Sequence, residues 1–196
     1  MAIVLAFVVT LIVVISIILA TSTSSSHQLS AKLLSGSQVP PAWQSADYGK
    51  AVSGLGCLST VLNATGLHPS AEADVLYVNH GTVPPEVGES VGTYRDSAKT
   101  FQNVVRSLDH CKRFHSGSPG GSGISGSLTA LNFPAVASSG APFVATISDE
   151  AVPVTLTQDI VVAVKGRYLL EIFETNLGKV NRQQFEKFIA AALADV

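Results

Sequence analysis

Residues 159–174 read DIVVAVKGRYLLEIFE, and this stretch decides the architecture. Both halves are rich in β-branched and aromatic side chains, and Lys165-Gly166 separates them, so they read as two strands joined by a hairpin. In the second half Leu169, Glu171 and Phe173 alternate with Leu170, Ile172 and Glu174, one set on each face. The first strand extends back to Val152, and the second runs from Arg167 to Glu174.

Working outward, Ser127–Asn132 and Phe143–Ile147 are further strand-like runs. His115–Gly126, HSGSPGGSGISG, is a Gly/Ser/Pro connection before them. Ser97–Cys111 is the best-defined helix: Ser97 is placed to cap it, and Phe101, Val104, Val105, Leu108 and Cys111 share one stripe. Further back, Asp74–Asn79 reads as a strand and Glu86–Arg95 as a more polar one, with Pro84-Pro85 at the turn between them. Leu55–Leu62 has helical spacing, and Gln28–Leu34 starts a short helix that closes before Gly36. Trp43 follows Val39-Pro40-Pro41 and is expected to seal one edge of the core. On the C-terminal side, Asn181–Val196 closes the chain as an amphipathic helix with Phe185, Phe188, Ile189, Ala192, Leu193 and Val196 on its apolar stripe. The order predicts an α+β fold: a single antiparallel twisted sheet with helices packed on one face.

The chain opens differently. Ala2–Ala20 is apolar apart from Thr10 and Ser16. As a helix it would be ~28 Å long, close to a bilayer's hydrocarbon core. That length favours a transmembrane anchor, while Ala20-Thr21-Ser22 also fits a signal-peptidase site, which would release a secreted protein. No Lys or Arg precedes the run, which fits a true start lying further upstream. The tract TSTSSS, Thr21–Ser26, reads as a flexible stalk. The expected organisation is therefore an anchor or signal over 1–22, a Ser/Thr-rich stalk over 23–36 and one extracytoplasmic domain over 37–196. The expected location is the cell membrane, single-pass with the domain outside, or the cell envelope after secretion.

Of 196 residues only two are cysteine, Cys57 and Cys111. In an exported domain such a pair reads as a disulfide bond, which in the chain-entropy account stabilises by about 4 kcal/mol. Two unrelated buried thiols are the alternative. A redox pair is disfavoured because the Cys-x-x-Cys arrangement is missing. The formal net charge of −2 supplies no basic field for nucleic acid.

Four stretches carry a resemblance: GLGCLSTVL (54–62), GTYRDSAKTFQNVVRSLDHCKRF (92–114), DIVVAVKGRYLLEIFE (159–174) and NRQQFEKFIAAALADV (181–196). In this order they resemble the extracellular sensor domain of the mycobacterial serine/threonine kinase H, and the PknH-like domains of actinobacterial envelope lipoproteins. The resemblance implies a noncatalytic domain with an antiparallel sheet, flanking helices and a groove for an extracellular ligand. Members often have two disulfides; here only Cys57 and Cys111 are present to pair, and no kinase sequence accompanies the domain. No ligand-contacting residues carry over.

Searches for catalytic, metal and cofactor chemistry return nothing complete. The Gly-rich loop lacks the Gly-Lys-Ser/Thr ending of a P-loop, and Gly123-Ile124-Ser125-Gly126-Ser127 is not a nucleophile elbow. His110, Cys111 and His115 imitate a metal cluster but lack a further ligand; His27, His68 and His80 are scattered. Asp149 and Glu150 are adjacent acids expected in a solvated turn, and Glu171 and Glu174 lie on opposite faces of one strand. Asn63-Ala64-Thr65 is a glycosylation sequon of the kind that occurs by chance. The sequence reads as a noncatalytic envelope-facing binding or sensor module for a small molecule, lipid or glycan, with the membrane as its other contact. The alternatives are a structural or carrier envelope protein, and an enzyme pairing a distant Ser with His80 or His110.

Overall fold

The computed structural model describes residues 23–46, 69–79, 85–116, 124–131, 133, 140–149 and 155–196. The apolar opening run and the expected helix Leu55–Leu62, with Cys57, lie outside them. Among the described residues no helix is long and apolar enough to cross a membrane.

The central feature is the predicted hairpin. Strands β7 (Thr155–Lys165) and β8 (Tyr168–Leu177) pair antiparallel in the register Lys165↔Tyr168 to Leu156↔Leu177. Gly166 stands at the turn with φ +58°, a left-handed conformation that lacks the Cβ penalty of other residues. Nothing lies within 4 Å of where its Cβ would be, so backbone geometry rather than space demands glycine.

Around this hairpin two meanders meet. One comprises β1 (Trp43–Ala46), β2 (Ala71–Asn79) and β3 (Glu86–Thr93). The other comprises β4 (Arg113–Ser116), β5 (Ile124–Ala130), β6 (Gly140–Asp149), β7 and β8. They join where β3 pairs with β8, giving an eight-stranded antiparallel sheet ordered β1-β2-β3-β8-β7-β6-β5-β4. Both edges are four-residue strands, short enough to offer little template for further pairing.

Three helices are described: α1 (Thr23–Ser30), α2 (Ser97–His110) and α3 (Arg182–Asp195). One sheet face presents Ala71, Ala73, Tyr77, Val87, Val91, Val161, Ala163, Leu170 and Ile172. These pack with Leu29, Leu33 and Leu34 from α1 and the turn after it, and with Phe185, Phe188, Ile189 and Ala192 of α3. The other face presents Leu76, Leu128, Ile160, Val162, Leu169 and Phe173, all buried, and α2 packs against β5, β7 and β8 there. Val104 and Leu108 are the buried residues of that helix's stripe, followed by Cys111 at its C-cap.

The α+β antiparallel architecture is as expected, but helices cover both faces rather than one. The cause is visible in β7 itself: Ile160–Val164 is an unbroken apolar run, which suits a strand buried on both sides. The strand expected over Glu86–Arg95 is observed as β3 and is polar in composition, yet all eight of its residues are buried. The Ser/Thr tract is helical from Thr23, and Leu29 and Leu34 are 3% and 2% exposed, so the core begins inside the stretch read as stalk. Asp96, not Ser97, caps α2, accepting a hydrogen bond from Lys99 N–H at 3.0 Å. Ser97 Oγ instead donates to Gly166 O at 2.6 Å, tying the helix start to the β7–β8 turn. Trp43 is half-buried and its ring lies 6.0 Å from that of Phe188, at the core edge as expected.

Candidate functional site

Two features stand out: a set of carboxylates buried in the central strands, and a cleft over β4–β6. The carboxylates belong to β3, β7 and β8. Glu86, Glu89, Asp159, Glu171 and Glu174 are each at most 3% exposed. Charged groups are rarely buried without a counterion, because leaving water costs them several kcal/mol.

On the face under α2, Gln158, Thr175 and Glu86 form a row across three strands. Gln158 Nε2 donates to Thr175 Oγ1 at 3.0 Å, and Thr175 hydrogen-bonds to Glu86. Burial raises Glu86 to about 7 against the lowering effect of that hydrogen bond. On the same face Ser90 Oγ donates to Glu72 Oε1 at 3.1 Å and stands opposite Glu171. Tyr94 covers Gly92 beside them, and burial first, then Glu72 and Glu171, raises its phenol.

On the opposite face, Glu89 and Glu174 each hold the backbone of a helix-bearing segment. Leu34 N–H donates to Glu89 Oε2 at 2.6 Å, and Asn181 N–H donates to Glu174 at the N-cap of α3. Burial raises Glu89 to about 8 and Glu174 to about 7, in both cases outweighing these hydrogen bonds. Asp159 faces Arg182 Nε at 3.4 Å, yet burial outweighs the guanidinium and its carboxyl is raised as well. This is structural anchoring chemistry: Glu89 and Glu174 bind backbone N–H groups, Asp159 binds a guanidinium, and burial favours the neutral form of each.

The open cleft lies at the other end of the sheet. The face covered by α1 and α3 continues onto β4–β6, where Arg113, His115, Thr129 and Thr146 are exposed and Ser125 and Ser127 half-buried. Register brings them together: Arg113 pairs with Ser127, His115 with Ser125, and Ser127 with Thr146. Arg113, His115, Ser125, Ser127 and Thr146 line a shallow cleft of about 490 Å3, together with Phe114 and Gly126. A Cβ on Gly126 would stand 2.3 Å from Phe114 Cζ and 2.6 Å from Thr146 O, so glycine lets the ring lie flat across the strand. A second groove of about 580 Å3 shares Arg113 and Ser127 and extends past Asp109, Lys112 and Thr129. Hydroxyls at strand spacing beside a guanidinium, an ammonium and an imidazole suit a polar or anionic ligand, within the size range of small-molecule sites.

The residues singled out from sequence are placed as follows. Cys111 is 1% exposed at the C-cap of α2, and no free cysteine occurs among the described residues. His110 Nδ1 lies 2.6 Å from the carbonyl of Arg106 and His115 lines the cleft, so the two serve separate surroundings. Among the described residues no three His, Cys, Asp or Glu side chains group to hold a metal. Glu171 and Glu174 are on opposite faces, as expected, but both are buried. Asp149 ends β6; Glu150, His68, His80 and Asn63 lie outside the described residues. The Gly-rich connection is partly strand: Arg113–Ser116 and Ile124–Ala130 pair across it as a hairpin. The acids of β3 and β7 and the cleft hydroxyls were missed. The available signal was Asp159 at the head of the apolar run Ile160–Val164; β3, EVGESVGT, offered none.

No protein-family model matches the sequence, and neither does any curated protein. Solved structures do match in fold. The extracellular domain of PknH from Mycobacterium tuberculosis superposes with a TM-score of 0.59 at 12% identity, over 88% of this chain and 98% of that one. An uncharacterised protein of Mycobacterium smegmatis matches with a TM-score of 0.48 at 14% identity, over 88% of this chain and 95% of that one. At such identities the likeness is one of fold.

Proposed function

We propose that this protein is a noncatalytic, extracytoplasmic binding or sensor module of the bacterial cell envelope, taking a small polar or anionic ligand in the cleft over β4–β6. The fold shared with an extracellular domain along nearly its whole length carries the reading. The cleft is the second support, because Arg113, His115, Ser125, Ser127 and Thr146 converge on it. Residues 1–22 serve as anchor or signal in this reading. Cys57 pairs with Cys111, pinning the end of α2 to the segment before β2.

Native mass spectrometry of the protein purified gently from its envelope tests the proposal. The expected spectrum shows a chain two hydrogens lighter than the dithiol form, with a retained ligand that Ser127→Trp displaces. A retained ligand unaffected by that substitution would place the site elsewhere. A chain that stays bare, and whose melting temperature is unmoved by anionic envelope glycans and lipids, would overturn the binding reading.

A further inference from the structure

The segment leaving α1 is fastened to the sheet at one residue. Leu34 gives its N–H to Glu89 Oε2 at 2.6 Å and its carbonyl accepts from Tyr77 Oη at 3.0 Å. Both partners project from the sheet face that α1 and α3 cover, Glu89 from β3 and Tyr77 from β2. Glu89 is fully buried, and its second oxygen, Oε1, accepts no hydrogen bond from the described residues. A carboxyl so placed still accepts the Leu34 N–H while holding a proton; a carboxylate would accept it more strongly, but burial outweighs that gain. Once ionised it needs a cation or water to replace the solvation that burial removes.

The charged and titratable groups facing it come from every neighbouring element. From β2 there is Tyr77, whose phenol burial and Glu89 together raise. From α3 there is Asp195, a second acid that disfavours ionisation of Glu89. From the turn after α1 there is Lys32, but its Nζ is engaged by Asp195 O at 3.2 Å and lies 5.1 Å over the Tyr168 ring. On β8 of the same face Glu174 stands beside Val87, next to Asp159 and then Arg182. Among the described residues no ion pair joins a cation to Glu89.

We infer that Glu89 is a proton-operated latch: protonated, it holds the Leu29–Val39 segment against the sheet, and on losing its proton it lets that segment open. The latch goes beyond the binding proposal and does not depend on it. Its position gives it a consequence, since α1 joins the first 22 residues to the domain. A proton at one buried carboxyl therefore sets how firmly the domain grips its own N-terminal connection. Burial raises Glu89 to about 8 when closed, while an open, hydrated glutamate returns to its ordinary 4.5. Between those values the ratio of closed to open falls ~tenfold per pH unit, and it levels off above the closed-state value.

Hydrogen–deuterium exchange of the full-length chain, read by mass spectrometry and divided by the intrinsic rate at each pH, tests the latch. In the wild type, protection of residues 29–39 should fall ~50-fold between pH 6 and pH 8 relative to the β7–β8 hairpin. Glu89→Gln, which retains an acceptor for Leu34 N–H, should remove that slope. Tyr77→Phe is the second variant: it should lower protection at every pH and leave the slope intact. A flat wild-type profile, an unchanged slope in Glu89→Gln, or a slope abolished by Tyr77→Phe would each overturn the latch. Should Glu89→Gln fail to fold, the wild-type and Tyr77→Phe profiles decide.

Discussion

Gly88→Ala should destabilise the domain by more than a surface substitution could. Gly88 lies in β3 directly opposite Phe173 of β8, and the Phe173 ring occupies the space a side chain would take. A Cβ there would come 2.3 Å from Phe173 Cζ and 2.4 Å from Cε1, well inside van der Waals contact. The ring cannot retreat easily, because Phe173 is 0% exposed and has Ile160, 2% exposed, on its other flank. Overpacking of this kind costs about 1–3 kcal/mol. Alanine returns ~0.5–1 kcal/mol by restricting the unfolded chain, leaving a net loss centred on roughly 1 kcal/mol. Equilibrium urea denaturation should then show a lower midpoint at an unchanged slope. Phe173→Leu makes room at its own cost, so the double variant should be more stable than the sum of the singles by ~1 kcal/mol or more. Gly36→Ala is the control, since nothing lies within 4 Å of a Cβ there. A Gly88→Ala protein as stable as wild type, or a cycle with zero coupling, would refute the close approach of β3 and the Phe173 ring.

The buried acids make stability depend on pH with a definite sign. Glu86 is raised from 4.5 to about 7 by folding, so the unfolded chain releases its proton first and stability declines as pH rises through that interval. The decline attributable to Glu86 is at most about 3 kcal/mol. Thermal melts at pH 5 and pH 7.5 should differ less in Glu86→Gln than in wild type, and an equal difference would show that Glu86 does not titrate as described. Asp96→Ala removes the N-cap of α2 and should cost about 1 kcal/mol in the same denaturation assay. Ser97→Ala should leave that cap intact and instead loosen the contact with the β7–β8 turn, read as faster amide exchange at the hairpin.

Much of the fold is legible in local pattern. β8 and the stripe of α3 follow from apolar period alone, since each must bury one contiguous surface whatever its partner. Lys165-Gly166 marked the hairpin because a tight turn between twisted strands needs a left-handed residue, and Gly166 has φ +58°. Asp96 was displaced by Ser97 in the sequence reading because both are good caps and only backbone geometry distinguishes them. The polar composition of β3 gave no sign of its burial, and the structure places it inside the sheet between β2 and β8.

Sequence by itself determined the two-cysteine pattern, the strand periods and the absence of a complete catalytic motif, because these depend on residues near one another in the chain. Tertiary structure decided that β3 joins β8, that helices cover both faces, and that Glu86, Glu89, Asp159 and Glu174 lose their water. It also decided that Arg113, His115, Ser125, Ser127 and Thr146 meet over one cleft. Burial and register are properties of pairs of segments far apart in sequence. A carboxylate's charge, and a hydroxyl's usefulness, depend on what the fold sets beside them.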